Sequence, residues 1–120
     1  MGYKVNGTTI QITRGDSGYF TFTPYAMDDN GEWSVYQPQE GDEIIFNMKK
    51  KMADSYRILL KKEVDLETFQ MKLEPNDTKG LDFGEYEYEV QLTTAAGDVD
   101  TYIPAVGETA LIIITKEADK

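Results

Sequence analysis

The sequence has 120 residues, with 22 Asp and Glu against 12 Lys and Arg for a formal net charge of −10 at pH 7, and it contains neither His nor Cys. A chain of this size forms one domain around one core, and the two missing residue types exclude disulfides, a thiolate nucleophile, zinc–thiolate sites and the commonest general base. The acidity argues against nucleic acid and anionic membranes as partners, because affinity for both comes from Lys and Arg.

Residues 1–7 read as an N-terminal lead-in, 8–115 as the folded domain and 116–120 as a flexible, charged C-terminal tail. The lead-in (Met1 to Gly7) has no apolar signal core, so no signal peptide is expected. The longest aliphatic run, Ala110 to Ile114, is far shorter than the ~20 residues of a membrane span. Within the domain the apolar pattern has a period of two. Strands are expected at 8–13 (Ile10, Ile12), 19–23 (Phe20, Phe22), 43–50 (Ile44, Phe46, Met48), 56–61, 68–73 (Phe69, Met71, Leu73), 84–92, 99–103 and 108–115. The segment 84–92 is the clearest: Tyr86, Tyr88, Val90 and Leu92 fall on one face and Glu85, Glu87, Glu89 and Gln91 on the other.

Turn residues separate these runs. Arg14-Gly15-Asp16 matches an integrin-recognition tripeptide but is ordinary turn chemistry between two strands. Asn30-Gly31 predicts a two-residue type I′ turn joining 21–25 to 32–36, since Asn-Gly tolerates the positive φ that both central positions need. The surrounding Asp28 to Glu32 is rich in oxygen ligands, yet it lacks the twelve-residue spacing and flanking helices of a calcium loop. Residues 65–67 read as a turn, and no segment sustains a helical period. Seven to nine short strands with regular turns predict an all-β, antiparallel, immunoglobulin-like sandwich. Its two candidate edge strands, 8–13 and 108–115, carry no Lys or Pro within their spans, so strand addition to a partner is open to them.

The stretch Leu73 to Leu92, with Asp77-Thr78 leading into Gly84-Glu85-Tyr86-Glu87-Tyr88-Glu89-Val90-Gln91-Leu92 and then Gly97-Asp98-Val99-Asp100-Thr101, resembles the immunoglobulin-like modules of tailed-phage and prophage structural proteins. The likeness is to the amino-terminal domain of baseplate upper proteins. Thr13-Arg14-Gly15-Asp16 and Glu40-Gly41-Asp42-Glu43-Ile44-Ile45-Phe46 fit the same pattern. The resemblance implies a non-enzymatic structural or adaptor module of a phage or prophage particle (baseplate, tail or head-associated), located in the virion and docked on other virion structural proteins or on itself. In the family, further segments carry receptor-binding machinery outward; the sequence stops at Lys120, so a small structural protein is the expectation. The same residues also have a physical reading. Asp77 and Thr78 can close an Asx-type turn, Gly84 can take a conformation closed to other residues, and Tyr86 or Tyr88 can form a tyrosine corner.

No catalytic, cofactor-binding or metal-binding set is expected. Glu85 and Glu87 lie ~6.8 Å apart along a strand, a spacing glycosidases use, but a flat strand supplies no cleft and no raised pKa. Two docking candidates remain. Glu85, Glu87 and Glu89 can pair with the lysines of 43–51, as cross-strand partners do, or present an acidic face to a basic partner. Trp33 and Tyr36, with Tyr25 and Tyr3, can cap one end of the sandwich or bind a protein; a carbohydrate-binding module using these aromatics is the alternative function.

Overall fold

The computed structural model describes residues 2–116; the last four residues of the segment read as a tail, 117–120, lie outside it. Eleven strands and one short helix follow in chain order: β1 (Tyr3–Asn6), β2 (Thr9–Thr13), β3 (Gly18–Thr21), β4 (Tyr25–Met27), β5 (Trp33–Val35), β6 (Glu43–Met52), β7 (Ser55–Val64), β8 (Gln70–Leu73), α1 (Pro75–Lys79), β9 (Gly84–Thr93), β10 (Val99–Ile103) and β11 (Ala110–Thr115). The all-β class is as the alternation requires. The strands exceed the expected seven to nine because β1 and the pair β4–β5 are separate elements.

One large sheet runs β1-β2-β11-β9-β6-β7, with β10 continuing beside β9. Alternate residues of this sheet point into a single core: Ile10 and Ile12, Ile44, Phe46 and Met48, Tyr86, Tyr88, Val90 and Leu92, and Ile112 and Ile114. The smaller pair β3–β8 covers them, contributing Phe20, Met71 and Leu73, with Phe22 and Phe69 just beyond its strand ends. Aromatic rings join the layers, Phe22 lying 5.8 Å from both Phe46 and Tyr88, and those two 5.2 Å from each other. Offset ring contacts of this kind add about 0.5–1.5 kcal/mol beyond area burial.

The sheet departs from the sequence reading in three ways. It is not wholly antiparallel, because β11 pairs with β2 in parallel, Ile112 opposite Ile10 and Ile114 opposite Ile12. The two strands read as edges are interior: β2 lies between β1 and β11, and β11 between β2 and β9. Their backbone groups are therefore bonded on both sides and have no free side for strand addition. The segment read as a lead-in contains β1, paired antiparallel with β2 from Tyr3 opposite Ile12 to Asn6 opposite Thr9.

Two local devices fix the lower end of β9. In α1, the Asp77 carboxylate accepts from the Glu74 N–H at 2.8 Å and from Lys62 Nζ at 2.8 Å, so the expected Asx-type turn is instead the capped start of a helix. Thr78 is fully buried, and its hydroxyl accepts from the Gly15 N–H at 2.8 Å. This bond ties α1 to the Arg14-Gly15-Asp16 turn, where Gly15 has φ +85 and Asp16 N–H donates to Thr13 O. Gly84, with φ +133, opens β9. Two residues on, the Tyr86 hydroxyl donates to Asp82 O at 2.7 Å with its ring in the core, which is the tyrosine-corner geometry. The Tyr88 hydroxyl takes a different acceptor, Thr8 O.

Candidate docking surface

The Asn30-Gly31 hairpin forms, with a different turn from the one expected. Gly31 N–H donates to Asp28 O at 3.0 Å and Asp28 N–H to Glu32 O at 2.8 Å, and in this loop only Gly31 (φ +81) has a left-handed backbone. Asn30 is spared because the Asp28 carboxylate accepts from the N–H groups of both Asn30 and Glu32 at 2.9 Å. This stabilises a wider loop with glycine at its left-handed position. The carboxylate that a calcium loop would need is thus turned onto its own backbone.

Pairing along this hairpin puts Tyr25 opposite Val35, Ala26 opposite Ser34 and Met27 opposite Trp33. Cross-strand partners share a face, and residues two apart share it too. Tyr25, Met27, Trp33 and Val35 therefore line one side, and all four are exposed: 59%, 56%, 66% and 39%. The hairpin shares no strand ladder with either other sheet. Among the described residues nothing covers this face. Four large apolar side chains side by side are unlike the singly scattered exposed hydrophobics of an ordinary surface.

The other sequence-derived candidates have other places. Tyr36, one residue past β5, faces the opposite way; its hydroxyl donates to Asp42 Oδ2 at 2.7 Å, and its ring packs against the core. The Gln39 N–H donates to the same oxygen at 2.8 Å. These bonds hold the Asp42 carboxyl below the ordinary carboxylate range, the Gln39 bond contributing most, while the Asp42 bond raises the Tyr36 hydroxyl. Tyr3 packs edge-on against Phe20, ring centroids 5.0 Å apart. Among the aromatics proposed as a group, Trp33 and Tyr25 share the platform. Met27 and Val35 complete it, and only the hairpin register, not their residue type, identifies them.

The acidic strand is engaged within the molecule. On β9, Glu87 lies opposite Lys49 and Glu89 opposite Asn47 of β6. Lys49 Nζ is 3.4 Å from Glu89 Oε2, and the Tyr56 hydroxyl donates to Glu87 at 3.2 Å. Glu85, opposite Ile113 of β11, is exposed. The cross-strand lysine pairing weighed from the sequence is present at Glu89, while Glu87, opposite Lys49, is bonded by the Tyr56 hydroxyl. Glu85, Glu87 and Glu89 line a plain strand face.

No group of three acidic side chains among the described residues is arranged to hold a metal ion. No helix among them is long and apolar enough to cross a membrane. The sequence matches no protein-family model and no curated protein.

Proposed function

We propose that this protein is a non-enzymatic structural or adaptor module of a phage or prophage particle, an immunoglobulin-like sandwich that works by docking on other virion proteins. The observation that carries the docking reading is the exposed face of β4–β5, where Trp33 and Tyr25 stand with Met27 and Val35. Aromatic residues and Met are the types enriched in protein interfaces, and Trp and Tyr are those most often found at their energetic centres. Support for the sandwich comes from the two β layers around one core and the Tyr86 corner; the parallel β2–β11 contact makes its sheet a mixed one. The particle assignment rests on the likeness of 73–101 to baseplate upper proteins.

The test joins gene context to binding. The reading frames flanking the gene are expected to encode tail or head proteins, and one of those proteins, purified, should bind the wild-type chain. A Trp33→Ala, Met27→Ala variant should bind it at least tenfold more weakly, since truncating a central anchor costs about 2 kcal/mol or more. Flanking genes for metabolic enzymes, together with glycan-array binding that disappears in Trp33→Ala, would instead establish the carbohydrate-binding alternative.

A further inference from the structure

The sequence has four asparagines, and two of them, Asn6 and Asn30, precede glycine. An Asn-Gly pair can close to a succinimide without enzyme or cofactor. The glycine backbone nitrogen gives up its proton and bonds to the asparagine Cγ, and the Cγ–Nδ2 bond breaks to release ammonia. Water then opens the ring at one of its two carbonyls and leaves aspartate or isoaspartate, with no change of oxidation state. Glycine in the second position favours closure, because it has no side chain to obstruct the approach and gives the backbone the freedom the ring demands. Asn47 and Asn76 precede Met48 and Asp77, whose side chains hinder it. In a folded chain the rate also depends on what must open before the nitrogen reaches Cγ.

Both pairs are exposed, yet the fold treats them differently. In the β4–β5 loop the Gly31 N–H donates to Asp28 O at 3.0 Å, and the Asp28 carboxylate accepts from the N–H groups on either side of it, those of Asn30 and Glu32, at 2.9 Å. Closure at Asn30 has to break these bonds. The carboxylate beside the Gly31 nitrogen also disfavours the anion that must form there. Asn6 ends β1 opposite Thr9, with Gly7 and Thr8 as the two-residue loop between them. Gly7 has a left-handed backbone, φ +63, and among the described residues no atom lies within 4 Å of where its Cβ would be. Neither the Asn6 side chain nor the Gly7 N–H has a hydrogen-bond partner among the described residues. Because β1 is bonded to β2 alone, at the edge of the large sheet, the pairing of Asn6 with Thr9 is the main restraint on this pair.

We infer that Asn6 is the site at which the folded protein deamidates, and that Asp28 shields Asn30 from the same reaction. Conversion of Asn6 replaces a neutral amide by a carboxylate at the tip of the β1–β2 hairpin. Where isoaspartate forms, the chain runs through Cβ and Cγ and gains one backbone carbon at the position opposite Thr9. The pairing cannot keep its register across that insertion, so β1 loosens from its hairpin end. Tyr3, at the other end of β1, is anchored by its edge-on contact with Phe20 and is the last part of the strand to be released.

Mass spectrometry of the purified full-length chain, held at physiological temperature in mildly alkaline buffer and then digested, tests this, with fragmentation that separates aspartate from isoaspartate. Asn6 should convert, and Asn30 should be slower by about tenfold or more, the retardation expected from hydrogen bonds of ordinary strength at Asn30, Gly31 and Glu32. In urea the two should convert at similar rates, since glycine follows each. Asp28→Ala should speed Asn30 by about tenfold and leave the Asn6 rate unchanged. A thermal melt checks that the variant folds, and the Asn6 rate serves as its internal reference. Asn30 converting as fast as Asn6 in the folded wild type overturns the inference, as does conversion at neither pair or an Asn30 rate that Asp28→Ala does not raise.

Discussion

Single residues at the start of β9 do work that their neighbours cannot take over. Gly84 has no atom within 4 Å of where a Cβ would lie, yet its φ of +133 is closed to L side chains. Gly84→Ala should therefore cost about 1–3 kcal/mol through the backbone alone, read as a lower urea midpoint at unchanged slope. Tyr86→Phe keeps the ring and removes the donor to Asp82 O, so a loss of about 0.5–1.5 kcal/mol is expected. Thr78→Val should cost a similar amount, about 0.5–1.5 kcal/mol, because it removes the acceptor of the half-buried Gly15 N–H. The residues of this corner were legible in the sequence because glycine, threonine and tyrosine each have a narrow set of uses. Which tyrosine would find Asp82 was not, since Tyr86 and Tyr88 share a face and a hydroxyl, and only the path of the preceding loop separates them.

At the scale of elements, the alternation in β9 and β6 identified which residues face the core, and β10 has the bounds expected of it. Alternation says nothing about neighbours. The segment 108–115 reads as a candidate edge for want of Lys or Pro, although Leu111 and Ile113 are themselves half-buried; aliphatic residues at every position are the mark of a strand covered on both faces. Four-residue β1 has three exposed positions, and five-residue α1 is too short to show a 3.6-residue period. Asn30-Gly31 marks the β4–β5 hairpin, but its turn type depends on the bonds of the Asp28 carboxylate to the Asn30 and Glu32 N–H groups, which the Asn-Gly pair alone does not reveal. The β6–β9 pairing carries its own prediction. Glu87→Lys places a cation opposite Lys49 and removes the acceptor of the Tyr56 hydroxyl, so stability should fall by about 0.5–1 kcal/mol. If binding to a virion partner fails while the melting temperature holds, the acidic face is itself a docking surface.

For the molecule as a whole, pH dependence is set by buried tyrosines above neutrality and bonded aspartates below it. Burial pushes the Tyr88 hydroxyl up to about 12 and raises Tyr102 as well, with Asp100 adding to the latter. The folded state holds these protons more tightly than the unfolded chain, whose tyrosines ionise near 10. Their stabilisation is complete below pH 10 and is lost as the pH rises through about 12. Denaturant midpoints measured from pH 8 upward should stay level and then fall, in step with tyrosinate absorbance, and Tyr88→Phe should flatten part of that fall. On the acid side, Asp42 and Asp65 lie below the ordinary carboxylate range, each chiefly through backbone N–H bonds. Their contribution is present above pH ~3.9 and lost as the pH falls through the lowered values, so Asp42→Asn should lessen the acid sensitivity.

The parallel contact between β2 and β11 also governs how the protein can be made. Thr115 Oγ1 donates to Ile12 O across 103 positions of sequence, and β11 fills the space between β2 and β9 in the large sheet. During synthesis β1 and β2 emerge together, but the inner side of β2 has no neighbour until β11 has left the ribosome. From the synthesis of β2 until that of β11 the nascent chain displays Ile10 and Ile12 beside an unbonded backbone, the condition under which chains stick to one another. A chain cut short before Ala110 would keep that open seam permanently, and its yield in soluble form should be limited by aggregation.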